Sequence, residues 1–199
     1  MWYIVEAAPG AKLVYGLNQD TDPEALRKSI ENGTVEKHLQ RISIAKNDVF
    51  FIEAGTIHAV GAGALIAEIQ ESSNLTYRLY DYDRVDKDGK KRPLHIEKAL
   101  AAANLRSSAE PAQPMRVLRY QPGCARELLC RCRYFEVYRM LVNTERRQKV
   151  TFRADPVSFR VLLCVDGCGT LGFGDSLRNI YKGDCLFVPA DSVEMCLHG

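Results

Sequence analysis

Three side chains that can bind metals, protons or anions lie close together in the first half of the chain: His58, Glu68 and Arg78. His58 follows an apolar run and a small-residue turn that contains Gly55, a pattern typical of a histidine presented by a β-turn-β unit. Such a histidine is a natural metal ligand. The alternative is a histidine whose hydrogen bonds are satisfied inside a barrel.

Glu68 interrupts the apolar strand predicted for residues 64–69. A carboxylate buried in such a strand needs a partner, a metal or a proton, because burial of an uncompensated charge is costly. In a strand that alternates between two faces, the same residue would instead point outward. The sequence leaves both interpretations open.

Arg78 lies in a predicted strand over residues 76–82, in which Tyr80 and Tyr82 share its face. An arginine among tyrosines favours a polar pocket of the size of a sugar. The alternative is a salt bridge to Asp81 or Asp83 at the sheet surface. The basic residues of the following loop are predicted to be solvated, although a lysine there could meet a phosphate: Lys87, Lys90, Lys91 and Arg92.

The elements that position these residues are mostly short strands. Strands are predicted over residues 2–7, 12–17, 39–44, 49–52, 58–60 and 64–69, and again at intervals beyond residue 134. Thr21-Asp22-Pro23-Glu24 predicts the start of a helix that ends near Asn32-Gly33, and a second helix is predicted over residues 95–104. Closely spaced strands with turn signals are typical of a sandwich or barrel.

The segment that contains His58 has a degenerate copy near the C-terminus. Residues 46–58 align without a gap on residues 182–194, with identical residues at four positions, and His58 falls opposite Glu194. Such self-similarity predicts two copies of one supersecondary unit, of which one carries chemistry while the other mainly packs.

Composition excludes several classes of function. A formal net charge of +2 is too small to indicate nucleic-acid binding, and no apolar run is long enough for a membrane span. The N-terminus lacks the pattern of a signal peptide, so the expected location is the cytoplasm. The 7 cysteines have spacings unlike those of a zinc ribbon or finger, which favours reduced, buried and inert thiols over a thiolate zinc cluster.

Residues 54–59, Glu68 and residues 73–84 together resemble the type I phosphomannose isomerases, in their short bacterial form. The run Tyr-Arg-Leu-Tyr-Asp-Tyr-Asp-Arg at residues 77–84 is the most specific element, and the resemblance covers nearly the whole chain. It implies a mainly β protein with two cupin-like, jelly-roll β-barrel modules and a few helices. The expected modules are residues 1–104 and 122–199, joined by a linker over residues 105–121.

The resemblance also implies a function. The family interconverts mannose 6-phosphate and fructose 6-phosphate, so the expected partner is a hexose phosphate. His58 would be a ligand of one zinc ion, Arg78 the active-site arginine, and Glu68 a residue of the same pocket. Zinc would polarise substrate oxygens while a base moves a proton between adjacent carbons.

The family's zinc site also uses a Gln-x-His pair and a glutamate that precede the strand resembling Trp2-Tyr3, and neither occurs in the sequence in hand. The expectation is therefore a fragment with weak zinc binding and little activity. Two further hypotheses remain: a non-catalytic cupin protein that binds sugar phosphates through Arg78, and a purely structural two-module β-protein.

Overall fold

The computed structural model describes residues 1–146 and 148–199, which form fifteen strands, two α-helices and one 3₁₀ turn. In chain order these are β1 (Trp2–Ala7), β2 (Lys12–Leu17), α1 (Pro23–Glu31), the 3₁₀ turn (Val35–Lys37), β3 (Leu39–Ser43), β4 (Val49–Phe50), β5 (His58–Val60), β6 (Ala64–Glu68), α2 (Ile96–Ala102), β7 (Arg119–Gln121), β8 (Cys124–Arg131), β9 (Glu136–Val142), β10 (Val150–Phe152), β11 (Arg160–Leu163), β12 (Cys168–Phe173), β13 (Ser176–Tyr181), β14 (Cys185–Val188) and β15 (Met195–His198).

The chain divides into two compact units, Met1–Pro114 and Met115–Gly199. Unit 1 contains two three-stranded antiparallel sheets, ordered β4-β1-β6 and β3-β2-β5. Alternate apolar residues of these strands form one core cluster. The period-2 pattern of apolar residues in the sequence therefore corresponds to the buried face of each strand. The buried members of that cluster are Trp2, Ile4, Leu13, Ile42 and Phe50.

Two helices form a second cluster in unit 1. The Asp22 side chain caps α1 by accepting a hydrogen bond of 2.8 Å from the backbone N–H of Ala25, and Pro23 occupies the first turn, as the sequence predicts. Gly33 follows the helix with φ +66°. The buried residues of α1 and α2 meet those of the neighbouring turns: Leu26, Ile30, Val35, Leu79, Ala99 and Leu100.

Unit 2 contains a three-stranded sheet, β7-β8-β9, a four-stranded sheet, β10-β15-β12-β13, and a two-stranded sheet, β11-β14. Its core cluster is built from the last two sheets and the segment after β10: Ala154, Leu171, Ile180, Val188 and Met195. The prediction of a mainly β protein with a few helices is confirmed. Among residues 1–146 and 148–199, no helix combines the length and apolar character required to cross a bilayer.

The predicted strand over residues 76–82 is wrong, because this segment is irregular. Tyr82 and Asp83 both have left-handed backbone conformations, with φ of +54° and +52°. Two consecutive non-glycine residues in that region are costly and turn the chain, so no strand continues through Tyr82. The period-2 pattern of tyrosines therefore does not reflect a sheet.

The internal repeat is visible in the backbone. Asn47 and Gly183, which align in the sequence, both have positive φ, +75° and +97°. The next residue in each copy is an aspartate whose carboxylate accepts a hydrogen bond from the backbone N–H three residues earlier, at 2.8 Å for Asp48 and 2.9 Å for Asp184. Both segments are strand-turn-strand units, as predicted.

The sheet register corrects one detail of that alignment. His58 lies opposite Tyr15, whereas Met195 lies opposite Phe173, the residue of β12 that corresponds to Tyr15. The second copy therefore has one extra residue in its turn, and the structural counterpart of His58 is Met195, not Glu194. A gapless alignment cannot reveal an insertion that falls inside a turn.

Candidate functional site

Trp2 connects two of the predicted site residues. Its backbone pairs with that of Glu68 across β1 and β6, and its indole N–H donates a hydrogen bond of 3.0 Å to Glu68 Oε1. The edge of the same ring meets the His58 ring, with centroids 5.2 Å apart and an interplanar angle of 71°. Trp2 is buried, while His58 and Glu68 are exposed beside it.

The orientation of His58 is set by the turn that precedes it. Gly55 has φ +88°, and a Cβ at this position would lie 2.8 Å from the carbonyl oxygen of Ala102, so only glycine fits. The Nδ1 atom of His58 lies 2.7 Å from the carbonyl oxygen of Thr56. A carbonyl only accepts, so Nδ1 carries the proton, and the lone pair of Nε2 is available to a ligand.

Tyr15 flanks His58 from the neighbouring strand β2. Its hydroxyl donates a hydrogen bond of 3.0 Å to the carbonyl oxygen of Phe51. Burial, with a smaller contribution from Glu53, raises the pKa of Tyr15, so the hydroxyl stays protonated. Tyr15 therefore supports the turn rather than supplying a base.

Arg78 is held by the segment just before α2. Its backbone N–H donates to His95 Nδ1 at 3.1 Å, and its carbonyl oxygen accepts from the backbone N–H of His95 at 2.7 Å. The guanidinium donates to the carbonyl oxygen of Pro93 at 3.3 Å. Within the described residues Arg78 forms no ion pair, so the alternative of a salt bridge to Asp81 or Asp83 is wrong.

Asp81 is a buried carboxylate, and its partners are arginines other than Arg78. Arg92 Nε lies 2.7 Å from Asp81 Oδ2, and Arg84 Nη2 lies 2.5 Å from Asp81 Oδ1. Hydrogen bonding to Arg92, then to Arg84, outweighs desolvation and lowers the pKa of Asp81 to about 2. Arg92 is exposed, as predicted, and its guanidinium also pairs with Asp81, which was not predicted. The sequence feature that could have indicated these ion pairs is the clustering of acidic and basic residues on either side of a tight loop.

The donor set of this region does not complete a zinc site. Among the residues that the structure describes, no group of three or more histidine, cysteine, aspartate or glutamate side chains could hold a metal. His58 offers Nε2, and Glu68 offers a carboxylate of which one oxygen already accepts from Trp2. Protein zinc sites normally use three or four ligands.

Arg78 has no contact with His58 or Glu68 among those found in the described part of the chain. The structure thus brings two of the three predicted residues together, around Trp2, and places the third on a separate segment near Pro93 and His95. The contacts of Trp2 with His58 and Glu68 were not predicted, because a tryptophan in an apolar N-terminal strand is typical of a core residue.

Comparison with solved structures identifies the fold. The chain superposes over 100% of its length on 60% of the crystal structure of the mannose 6-phosphate isomerase from Bacillus subtilis, with a TM-score of 0.85 and 31% sequence identity. A structure of the enzyme from Salmonella typhimurium matches 91% of the chain at a TM-score of 0.52 and 16% identity, which shows the fold alone. The class is therefore that of mainly β proteins with the fold of these isomerases.

Sequence comparison is more specific. The chain is 32% identical over its whole length to mannose-6-phosphate isomerase ManA of Bacillus subtilis, covering 60% of that protein. It is 31% identical to the mannose-6-phosphate isomerase of Streptococcus mutans, with 94% of this chain and 57% of that protein aligned. No protein-family model matches. The chain is homologous to the mannose-6-phosphate isomerases and spans about three-fifths of the length of these relatives.

Proposed function

We propose that the chain belongs to an aldose-ketose isomerase that interconverts mannose 6-phosphate and fructose 6-phosphate, and that it contributes His58, Glu68 and Arg78 to the site. The observation that carries the proposal is the homology over the whole chain to proteins named mannose-6-phosphate isomerase. The positions of His58 and Glu68 on either side of Trp2 support it.

The reaction moves a proton between C1 and C2 of the sugar through an enediolate, whose negative charge must be stabilised. Arg78 suits this role, because its guanidinium forms no ion pair with a described carboxylate and its backbone is fixed by two hydrogen bonds to His95. Glu68 suits the binding of substrate hydroxyls, since Oε2 has no hydrogen bond among the described residues while Oε1 is held by Trp2.

His58 is the proposed zinc ligand, through Nε2. Because His58 and Glu68 are only two donors, we expect the 199-residue chain by itself to bind zinc weakly and to show little isomerase activity. We propose a cytoplasmic setting, which the seven free cysteines support, because thiols stay reduced in that compartment.

The test is a chimaera in which this chain replaces the 60% of Bacillus subtilis ManA that it matches, assayed with mannose 6-phosphate in the presence of zinc. We expect turnover by the chimaera. Arg78→Ala should lower kcat by about 100-fold or more. Arg41→Ala is the matched control, because Arg41 is exposed and its ion pair within the described residues is with Glu36.

Three outcomes would overturn parts of the proposal. A folded chimaera without turnover would refute the isomerase function. An Arg78→Ala chimaera as active as the Arg41→Ala chimaera would reduce Arg78 to a structural residue. Stoichiometric zinc on the isolated chain after dialysis against a chelator would show that its metal ligands lie elsewhere.

A further inference from the structure

Unit 2 carries a thiol and an imidazole in contact on the outer face of its four-stranded sheet. Cys196 and His198 occupy alternate positions of β15, and Cys196 Sγ lies 3.3 Å from His198 Nε2. Leu197, between them, packs against the core cluster of unit 2. Because successive side chains of a strand point to opposite faces, the strand itself fixes the Cys-His pair on the side away from the core.

The residues that face this pair from β12 are small. Gly172 lies directly opposite Cys196, and Thr170 lies opposite His198. In unit 1 the residue that corresponds to Gly172 is Val14, which is buried in an apolar cluster with Leu17 and Leu39. In unit 2 the exposed Leu177 side chain lies against Gly172 instead, and Cys196 is half-buried while His198 is exposed.

Charged residues lie next to the strands that flank the pair. On the other side of β15, Thr151 of β10 lies opposite Cys196. Lys149 and Arg153 flank β10 directly before and after it, and both are exposed. Glu194 is the acidic residue just before β15, and the residues of β12 and β13 that share the face of Cys196 are uncharged.

The other six cysteines lack this arrangement. The structure contains only free thiols, and the expectation that they are buried is wrong for Cys168 and Cys185, which are exposed. Burial raises the pKa of Cys124 and of Cys130, which makes both poor nucleophiles. Cys164 Sγ lies 3.4 Å from the carbonyl oxygen of Asp166. In the described chain, only Cys196 has a histidine ring nitrogen in contact.

We propose that Cys196 and His198 form a reactive thiol site that exchanges with low-molecular-weight disulfides. The thiol proton passes to His198 Nε2, and the Cys196 thiolate attacks one sulfur of the disulfide R–S–S–R. The S–S bond of the reagent breaks as the bond Cys196–S–S–R forms, and the released R–S⁻ takes the proton from His198. Cys196 is oxidised, the released sulfur is reduced, and an excess of thiol reverses the step.

The repeat argues that the pair is not required by the scaffold. Ala59 and Gly61 are the residues of unit 1 that correspond to Cys196 and His198, and neither has a functional side chain. The same strand therefore folds without a thiol or an imidazole. The pair is a local property of unit 2, distinct from the residues proposed for the isomerase site.

The test is site-resolved labelling of the full chain with oxidised glutathione, with the modified peptides quantified by mass spectrometry. We expect Cys196 to react at least about tenfold faster than Cys185, which is the matched exposed thiol without a histidine contact. His198→Asn should lower the rate at Cys196 to that at Cys185. It should also abolish the part of the pH dependence of the rate at Cys196 that comes from the imidazole.

Either of two results would overturn the proposal. Equal rates at Cys196 and Cys185 in the unmodified chain would show that the contact does not activate the thiol. An unchanged rate and pH profile at Cys196 in a folded His198→Asn variant would show that the imidazole has no role. Cys185→Ser should leave the rate at Cys196 unchanged, which controls for general effects of removing another exposed thiol from unit 2.

Discussion

The two copies of the strand-turn-strand unit share a backbone and differ in what they carry. In unit 1, β1 pairs with β4, and β2 lies between β3 and β5. In unit 2, β11 pairs with β14 in the same register, and β12 lies between β13 and β15. Both copies place a left-handed residue before the aspartate that caps the turn, at Asn47 and at Gly183.

The differences lie at the strand that follows the turn. Its first paired residue is the exposed His58 in unit 1 and the buried Met195 in unit 2. Within the described residues, β5 has a partner on one side only, whereas β15 is flanked on its second side by β10. An unpaired edge exposes backbone donors and acceptors. The turn hydrogen bonds are thus the same in both copies, while single positions on the next strand differ between them.

The largest expected effect comes from equivalent core residues. Leu13 is 1% exposed and Leu171 is 4% exposed, and they occupy corresponding positions of β2 and β12. Leu13→Ala and Leu171→Ala should each cost about 3 kcal/mol of unfolding free energy through lost burial and a residual cavity. Trp2, the single tryptophan, reports on unit 1 alone, so we expect its fluorescence transition in denaturant to move only with Leu13→Ala.

Amide hydrogen exchange in β12 and β15 provides the complementary measurement for unit 2. Protection there should fall in Leu171→Ala and not in Leu13→Ala. An equal shift of the Trp2 transition by both substitutions would show that the two units unfold as one, and the comparison between independent copies would then fail.

The next effect concerns a buried carboxylate in each unit. Asp81 is held by Arg92 and Arg84 in unit 1, and Glu127 by Arg139 in unit 2, with Arg139 Nε 2.5 Å from Glu127 Oε1. The folded-state pKa of Asp81, about 2, lies below its ordinary value of 3.8. The charged form therefore stabilises the fold, fully above pH 3.8 and progressively less as the pH falls to about 2.

Asp81→Asn should accordingly lower the urea midpoint of the Trp2 transition at pH 7, and the difference from the unmodified chain should vanish as the pH approaches about 2. Glu127→Gln should destabilise unit 2 by about 1 to 3 kcal/mol, because the buried carboxylate charge that faces Arg139 and Arg116 is lost. It should leave the Trp2 signal unchanged. A pH-independent difference for Asp81→Asn would mean that its ion pairs contribute nothing to folding.

Local patterns predicted much of this fold. The strand His58–Val60 and the cap at Asp22 lie where the sequence places them, because an apolar run bounded by a turn and a proline after an aspartate each have a local physical meaning. The repeat was also predictable, since Asp48 and Asp184 make the same short-range hydrogen bond. Interactions between residues that are close in the sequence produce patterns that can be recognised in the sequence.

Long-range contacts were not predictable in this way. The pairing of Asp81 with Arg92 spans a loop, and the segment of alternating tyrosines is irregular rather than a strand. The link from Trp2 to Glu68 depends on a sheet register across much of unit 1. The residue inserted in the turn before Met195 leaves no recognisable pattern in the sequence. Only the register of β12 with β15 reveals it.

The smallest expected effect concerns the first turn residue, which is Asn47 in unit 1 and Gly183 in unit 2. The Tyr3 hydroxyl donates a hydrogen bond of 2.7 Å to Asn47 Oδ1. In unit 2 the position of Tyr3 is occupied by Leu163, which has no hydroxyl, and Gly183 stands where unit 1 has Asn47. Glycine is the better residue at positive φ, so the asparagine is explained by this hydrogen bond.

Asn47→Gly should therefore destabilise unit 1 by about 0.5 to 1 kcal/mol, because the loss of a partly buried hydrogen bond outweighs the relief of backbone strain. In a Tyr3→Phe background the same substitution should be neutral or stabilising. The double-mutant cycle, read from the Trp2 transition, isolates the coupling between the two side chains. Gly183→Asn is the control in unit 2. Because Leu163 offers no hydroxyl to the new amide, we expect a small loss of stability. If Asn47→Gly cost the same in both backgrounds, the asparagine would have no such role, and the two turns would be equivalent in energy as well as in backbone shape.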